Sequence, residues 1–207
     1  MTIFSPMRRC LSWAFIVAIV FTSSNAQAFR TPFGDRVHDT IERGLAWIRT
    51  QTVNGAYNRT ATPLGGLAIL EHRTSRDWNA PTRGYQNSTP ADQSLLRAMA
   101  KYVINANAVF SGTAEAHNNY ENGTGLAFLT LYRTTGGPNN VGANKTVNQA
   151  INLGISALHS TQSKLESPCS LGSWNYVNPT AQGDLSIVYF AVAGLSAASA
   201  ITPNAVA

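Results

Sequence analysis

The side chains able to do acid–base chemistry are few and dispersed along this sequence. Beyond position 28 there are five aspartates, Asp35, Asp39, Asp77, Asp92 and Asp184, and none lies within three residues of another. General acid and base catalysis needs paired carboxylates or a Ser, His and Asp set. The only acid–imidazole neighbours are His38 with Asp39, His72 with Glu71, and His117 with Glu115 and Glu121. Each falls at a predicted helix end or in a loop, where a solvated charge is ordinary. His159, Cys169 and Asp184 offer an imidazole, a thiol and a carboxylate, but their spacing is not that of a zinc site. Cys169 is read as an unmetallated thiol in an inserted loop. No catalytic residue, metal or cofactor is therefore assigned. If a polar ligand site exists, its rim is His117, Tyr120, Glu121, Trp174, Tyr176 and Asp184.

The N-terminal 28 residues read differently from the rest. Arg8 and Arg9 precede a twelve-residue apolar run from Cys10 to Phe21, and a polar stretch ends in Ala26-Gln27-Ala28. This is the pattern of a secretory signal peptide cleaved after Ala28. Twelve residues make a helix of roughly 18 Å, too short for a hydrocarbon core of about 30 Å. Residues 29–207 are then one domain, secreted or periplasmic, with no further membrane segment. Its single cysteine, Cys169, excludes an internal disulfide, so packing alone must hold it. The net charge of +5 falls by two with Arg8 and Arg9, and the remaining basic residues are scattered singly. That distribution excludes nucleic acid as a partner. Four Asn-x-Ser/Thr triplets, at Asn58, Asn87, Asn122 and Asn144, all fall in segments read as loops.

What must position these side chains is a repeat. Three apolar segments, Thr40 to Gln51, Leu95 to Ala106 and Ala150 to Thr161, superpose at a shift of 55 residues. Ile41 then falls on Leu96 and Ile151, Leu45 on Ala100 and Ile155, and Ile48 on Val103 and Leu158. The apolar positions recur at i, i+4 and i+7, one face of a helix. A turn rich in Gly and Asn follows each segment, then an aromatic residue and a second helix of small and apolar residues. The second helices are predicted over Pro63 to His72, Thr124 to Tyr132 and Asp184 to Ala200. Asp77-Trp78-Asn79-Ala80-Pro81 and Gly136-Gly137-Pro138-Asn139-Asn140 punctuate the units. The fold class expected is all-α, as three helical hairpins.

The first unit carries a motif. Arg43-Gly44-Leu45-Ala46-Trp47-Ile48 leads into Gln51 and then Gly55-Ala56-Tyr57, and the third unit echoes it with Gln162 and Gly172-Ser173-Trp174. The middle unit keeps the helices and Asn119-Tyr120 but has lost the Gln. This resembles the QW repeat of squalene and hopene cyclases, in the α/α-toroid superfamily that also contains protein prenyltransferases. The resemblance implies a partial α/α toroid, about half of a closed double ring. It also implies structural roles for Gln51, Gly55, Tyr57, Gln162, Gly172 and Trp174, the amide capping a helix end and the ring covering the turn.

The chemistry of that superfamily is not carried over. Its cyclases protonate substrate through Asp-x-Asp-Asp, its prenyltransferases hold zinc through Asp-x-Cys and a distant His, and thioester relatives carry Gly-Cys-Gly-Glu-Gln. None of these occurs here. The expected function is therefore that of an exported, prenyltransferase/squalene-cyclase-like repeat protein, non-catalytic, serving in ligand binding or scaffolding. Self-association or a protein partner at the open repeat end, and a small apolar or carbohydrate ligand, are the expected contacts. Two alternatives stand beside it: a terpenoid cyclase-like or carbohydrate-active toroid enzyme, possibly as a fragment, and an envelope structural protein.

Overall fold

Helix starts in this chain are written by small polar residues placed before Pro or an apolar run. Thr31 precedes Pro32, and its hydroxyl accepts the Gly34 N–H at 3.0 Å. Thr89 precedes Pro90 and accepts the Asp92 N–H at 3.1 Å. Thr146 and Gln149 form a reciprocal capping box, and Asp184 accepts the N–H groups of Ser186 and Ile187. Each satisfies donors that the first turn of a helix leaves orphaned. A computed structural model describes residues 31–51, 55–114, 118–166, 170–177 and 182–202. The signal-peptide reading of residues 1–28, together with Glu115, His117 and Cys169, lies outside the described residues. The helices are α1 (Pro32–Gln51), α2 (Ala61–Leu70), α3 (Pro90–Ala106), α4 (Ala108–Ser111), α5 (Asn119–Thr134), α6 (Val147–Thr161) and α7 (Leu185–Ala198). No strand occurs among the described residues, so the protein is all-α there.

Helices α2, α5 and α7 form one row. Asn119 donates its N–H to the Tyr176 carbonyl and Asp184 donates to that of Trp174, so α5 and α7 begin on the same short segment. Gly84 N–H bonds the Leu70 carbonyl while Gln86 N–H bonds that of Thr135, so α2 and α5 end together. Thus α2, α5 and α7 run side by side in one direction. Behind them α3 and α6 run the other way: the Thr161 hydroxyl at the end of α6 donates to Asn119 at the start of α5, 2.8 Å away.

Small residues allow this closeness. A Cβ on Gly194 would lie 2.7 Å from the Gly123 carbonyl oxygen, so α5 and α7 touch backbone to backbone. A Cβ on Gly66 would strike the Phe128 ring, and one on Gly125 or Gly154 would strike Phe110. The Phe110 ring is therefore packed between α5 and α6, its Cε2 side meeting Gly125 and its Cε1 side Gly154. Eleven of the sixteen residues of α5 are buried; of the twenty in α1 only Leu45 is. The middle of the row is the core, and α1 is its loosely attached edge.

The described elements are all helical, as expected, but several boundaries and burial assignments need correction. Helix α1 begins eight residues before Thr40, and α5 five residues before Thr124, because Thr31 and Asn118 supply caps. The short α4 was not expected. The segment around Asn119 to Gly123, read as turn, is helix: its glycine, Gly123, serves contact with α7 rather than chain reversal. Asn122, read as a loop residue, is accordingly buried within α5. The first helices end at 51, 106 and 161. Leu45, Ala100 and Ile155 are all buried, as are Leu96, Val103, Ile151 and Leu158. In α1, however, Ile48 is only half-buried and Ile41 is 46% exposed. Both face the gap between α1 and α2, where the two helices are not packed closely enough to cover them.

Candidate functional site: a cleft between α1 and α2

Because α1 docks by its C-terminal half, its N-terminal half stands away from α2 and leaves a cleft of about 720 Å³. That is within the range of small-molecule sites. Val37, Ile41, Leu45 and Ile48 line it from α1, Ala68 from α2, and Trp78 from the following loop. The loop is folded back on itself. An isolated bridge joins Arg73 to Thr82, the Arg73 guanidinium lies 5.1 Å from the Trp78 ring centroid, and Arg73 donates to the Ala80 carbonyl at 2.6 Å.

The polar groups of the cleft cluster on one wall. His72 Nε2 lies 2.7 Å from Glu42 Oε1, and His38 Nε2 lies 3.4 Å from the same oxygen. Arg76 reaches Asp39 at 3.1 Å and Asp35 at 3.8 Å. Sequence adjacency suggested His38 with Asp39 and His72 with Glu71. The fold instead gives both imidazoles one shared partner, Glu42, which sequence reasoning missed. The i,i+4 spacing of His38 and Glu42 on one helix was the available signal. One carboxylate shared by two imidazoles can accept a hydrogen bond from each and so fix their tautomers, and its remaining lone pairs can accept from a ligand hydroxyl. Among the described residues no group of three or more His, Cys, Asp or Glu is arranged to hold a metal ion.

The rim expected from sequence lies at the opposite end, where α5 and α7 start. Tyr120, Trp174, Tyr176 and Asp184 are brought together there, and His117 is outside the described residues. Tyr120 stacks edge to face on Phe190, with centroids 4.5 Å apart. Glu121 is buried, its Oε1 3.7 Å from Arg59 Nε. The Trp174 indole donates to the Leu158 carbonyl at 2.7 Å, closing the end of α6. The Asp184 carboxyl is held below its usual range by the Ser186 hydroxyl and by the N–H groups of Ile187 and Ser186. Tyr176, half-exposed, is the described member of this set most open to solvent.

The motif residues divide similarly. Gly55 and Gly172 both take positive φ, 78° and 76°. A Cβ on Gly55 would meet the α3 backbone at Ala98 and Met99, so only glycine fits that crossing. Gln162 donates to the Gly172 carbonyl at 2.9 Å, whereas Gln51 is exposed and its amide reaches the Thr50 hydroxyl at 3.4 Å. Tyr57 is exposed, edge to face with Trp47 at 6.4 Å.

Compared with protein-family models, with curated proteins and with solved structures, the chain matches none.

Proposed function

We propose that the protein is an exported, non-catalytic repeat protein of the prenyltransferase/squalene-cyclase kind, with three hairpins forming part of an α/α toroid, and that it binds a small, largely apolar ligand. The observation that carries the binding role is the cleft of about 720 Å³ between α1 and α2, apolar on most of its wall, with the His38, Glu42 and His72 cluster at one side. Such a site buries a hydrocarbon body and orients one polar head. The parallel row α2, α5, α7 with antiparallel helices behind it supports the toroid reading. So do first helices whose ends are spaced by 55 residues. The scattered acids support the non-catalytic reading.

The test is mass spectrometry of organic extracts of the purified protein, followed by titration with geranylgeraniol and with maltose while Trp fluorescence is recorded. Saturable binding of the isoprenoid alcohol and none of the sugar is the expected result. Saturable binding of maltose alone, or of neither compound with no copurifying lipid, would overturn the proposal. Turnover of squalene or of a prenyl diphosphate would overturn its non-catalytic part.

A further inference from the structure

Among the described residues the row of α2, α5 and α7 is flanked on both sides at α5 and ends at α7. The exposed side of α7 is Leu185, Tyr189, Val192 and Ser196, spaced i, i+4, i+7 and i+11, and its three large members are 86%, 69% and 48% exposed. At 100° per residue these four fall within one narrow arc, directly opposite the Ile187, Ala191, Gly194 and Ala198 face buried against the core. This is an apolar stripe, not a scatter of single residues.

We infer that this stripe is the interface between two copies of the chain, α7 packing antiparallel on its own equivalent about a two-fold axis. Three observations favour a second copy over other occupants. First, α7 has no Asp, Glu, Lys or Arg from Leu185 to Ala198. It therefore offers nothing to a charged partner, and lacks the basic flank that holds an amphipathic helix on an anionic membrane. An uncharged face is complementary to itself. Second, the stripe is self-complementary in size. With the axis between Phe190 and Ala191, Leu185 faces the partner copy's small Ser196, and Tyr189 faces Val192, so each large side chain meets a smaller one. Third, Leu171, Tyr176 and Val177 are also exposed, and their segment is hydrogen-bonded beside the start of α7 through Trp174 and Asp184. With the stripe they lengthen the exposed apolar surface along the start of α7, toward the roughly 800 Å² per copy that a standard interface uses.

This inference rests on α7 and is independent of the cleft at the other edge. The full-length chain and its Tyr189→Arg variant are compared by sedimentation at micromolar concentration. The expected result is a dimer that becomes a monomer on substitution, with the far-UV helical signal unchanged because Tyr189 is exposed. Register is read by oxidative cross-linking in a background with Cys10→Ser and Cys169→Ser. The pair Leu185→Cys with Ser196→Cys should give a covalent dimer, and Leu185→Cys alone should not. A monomeric parent chain, a dimer that persists in Tyr189→Arg, or equal cross-linking by Leu185→Cys alone would each overturn it.

Discussion

Arg49 grips Asp92 with two parallel hydrogen bonds, Nε to Oδ1 at 2.8 Å and Nη2 to Oδ2 at 3.0 Å, tying the last turn of α1 to the first turn of α3. The carboxylate is almost fully buried while the guanidinium is partly exposed. Burial pushes the Asp92 carboxyl up, but Arg49 and the Thr89 hydroxyl outweigh it and hold the group below its ordinary range. Removing Arg49 leaves a buried charge uncompensated, so Arg49→Ala is expected to cost about 2–4 kcal/mol. Because the folded carboxyl is depressed, its contribution is complete above the unfolded value of about 3.9 and fades as pH falls through the lower folded one. Denaturant melts between neutral and acid pH should show a shallower acid limb in Asp92→Asn than in the parent.

Gly123 and Gly194 give a prediction of opposite sign to Gly44. Alanine in place of a helical glycine gains about 1 kcal/mol when space is open. Nothing lies within 4 Å of a Cβ on Gly44, so Gly44→Ala should stabilise by up to that amount. At Gly194 the obstacle is the α5 backbone, and overpacking of about 1–3 kcal/mol exceeds the propensity gain. Thermal melts should place Gly194→Ala below the parent by a few degrees, at roughly 2–4 °C per kcal/mol. Gly44→Ala should lie above it.

Ile41 separates ligand binding from stability. It is 46% exposed on the cleft wall, so Ile41→Arg should change stability by no more than about 0.5 kcal/mol. The same change sets a charge in the apolar cleft. Isothermal titration with geranylgeraniol should lose its heat in this variant while the denaturation midpoint holds.

The four Asn-x-Ser/Thr triplets are not equivalent once folded. Asn58, Asn87 and Asn144 are exposed, while Asn122 is fully buried and accepts a hydrogen bond from Asn107 at 3.2 Å. Peptide mapping after expression in a glycosylating host should find folded, secreted chains modified at the first three only.

How far the sequence was legible depends on which forces set each feature. The apolar faces of α3 and α6 were readable because periodicity reports burial directly, as Leu96, Val103, Ile151 and Leu158 show. Helix starts were readable in principle: Thr89-Pro90 and the Thr146 with Gln149 box are local signals. The start of α5 was not, because Asn and Gly favour turns locally, and only the contact of Gly123 with α7 explains their place in a helix. The cleft was hidden for the same kind of reason. It arises where α1 fails to dock fully, and the Glu42 link to His72 spans thirty residues of sequence.

The single buried residue of α1 has a dynamic consequence. Leu45, the Glu42 contacts and the Arg49 pair are few anchors for a twenty-residue helix, so its amides should exchange with deuterium through a local opening that leaves α5 protected. Since α1 forms half of the cleft, that opening also dismantles the site. A ligand there would bind only the docked fraction, its apparent affinity lowered by that fraction, and would in turn slow exchange along α1 while leaving α5 unchanged.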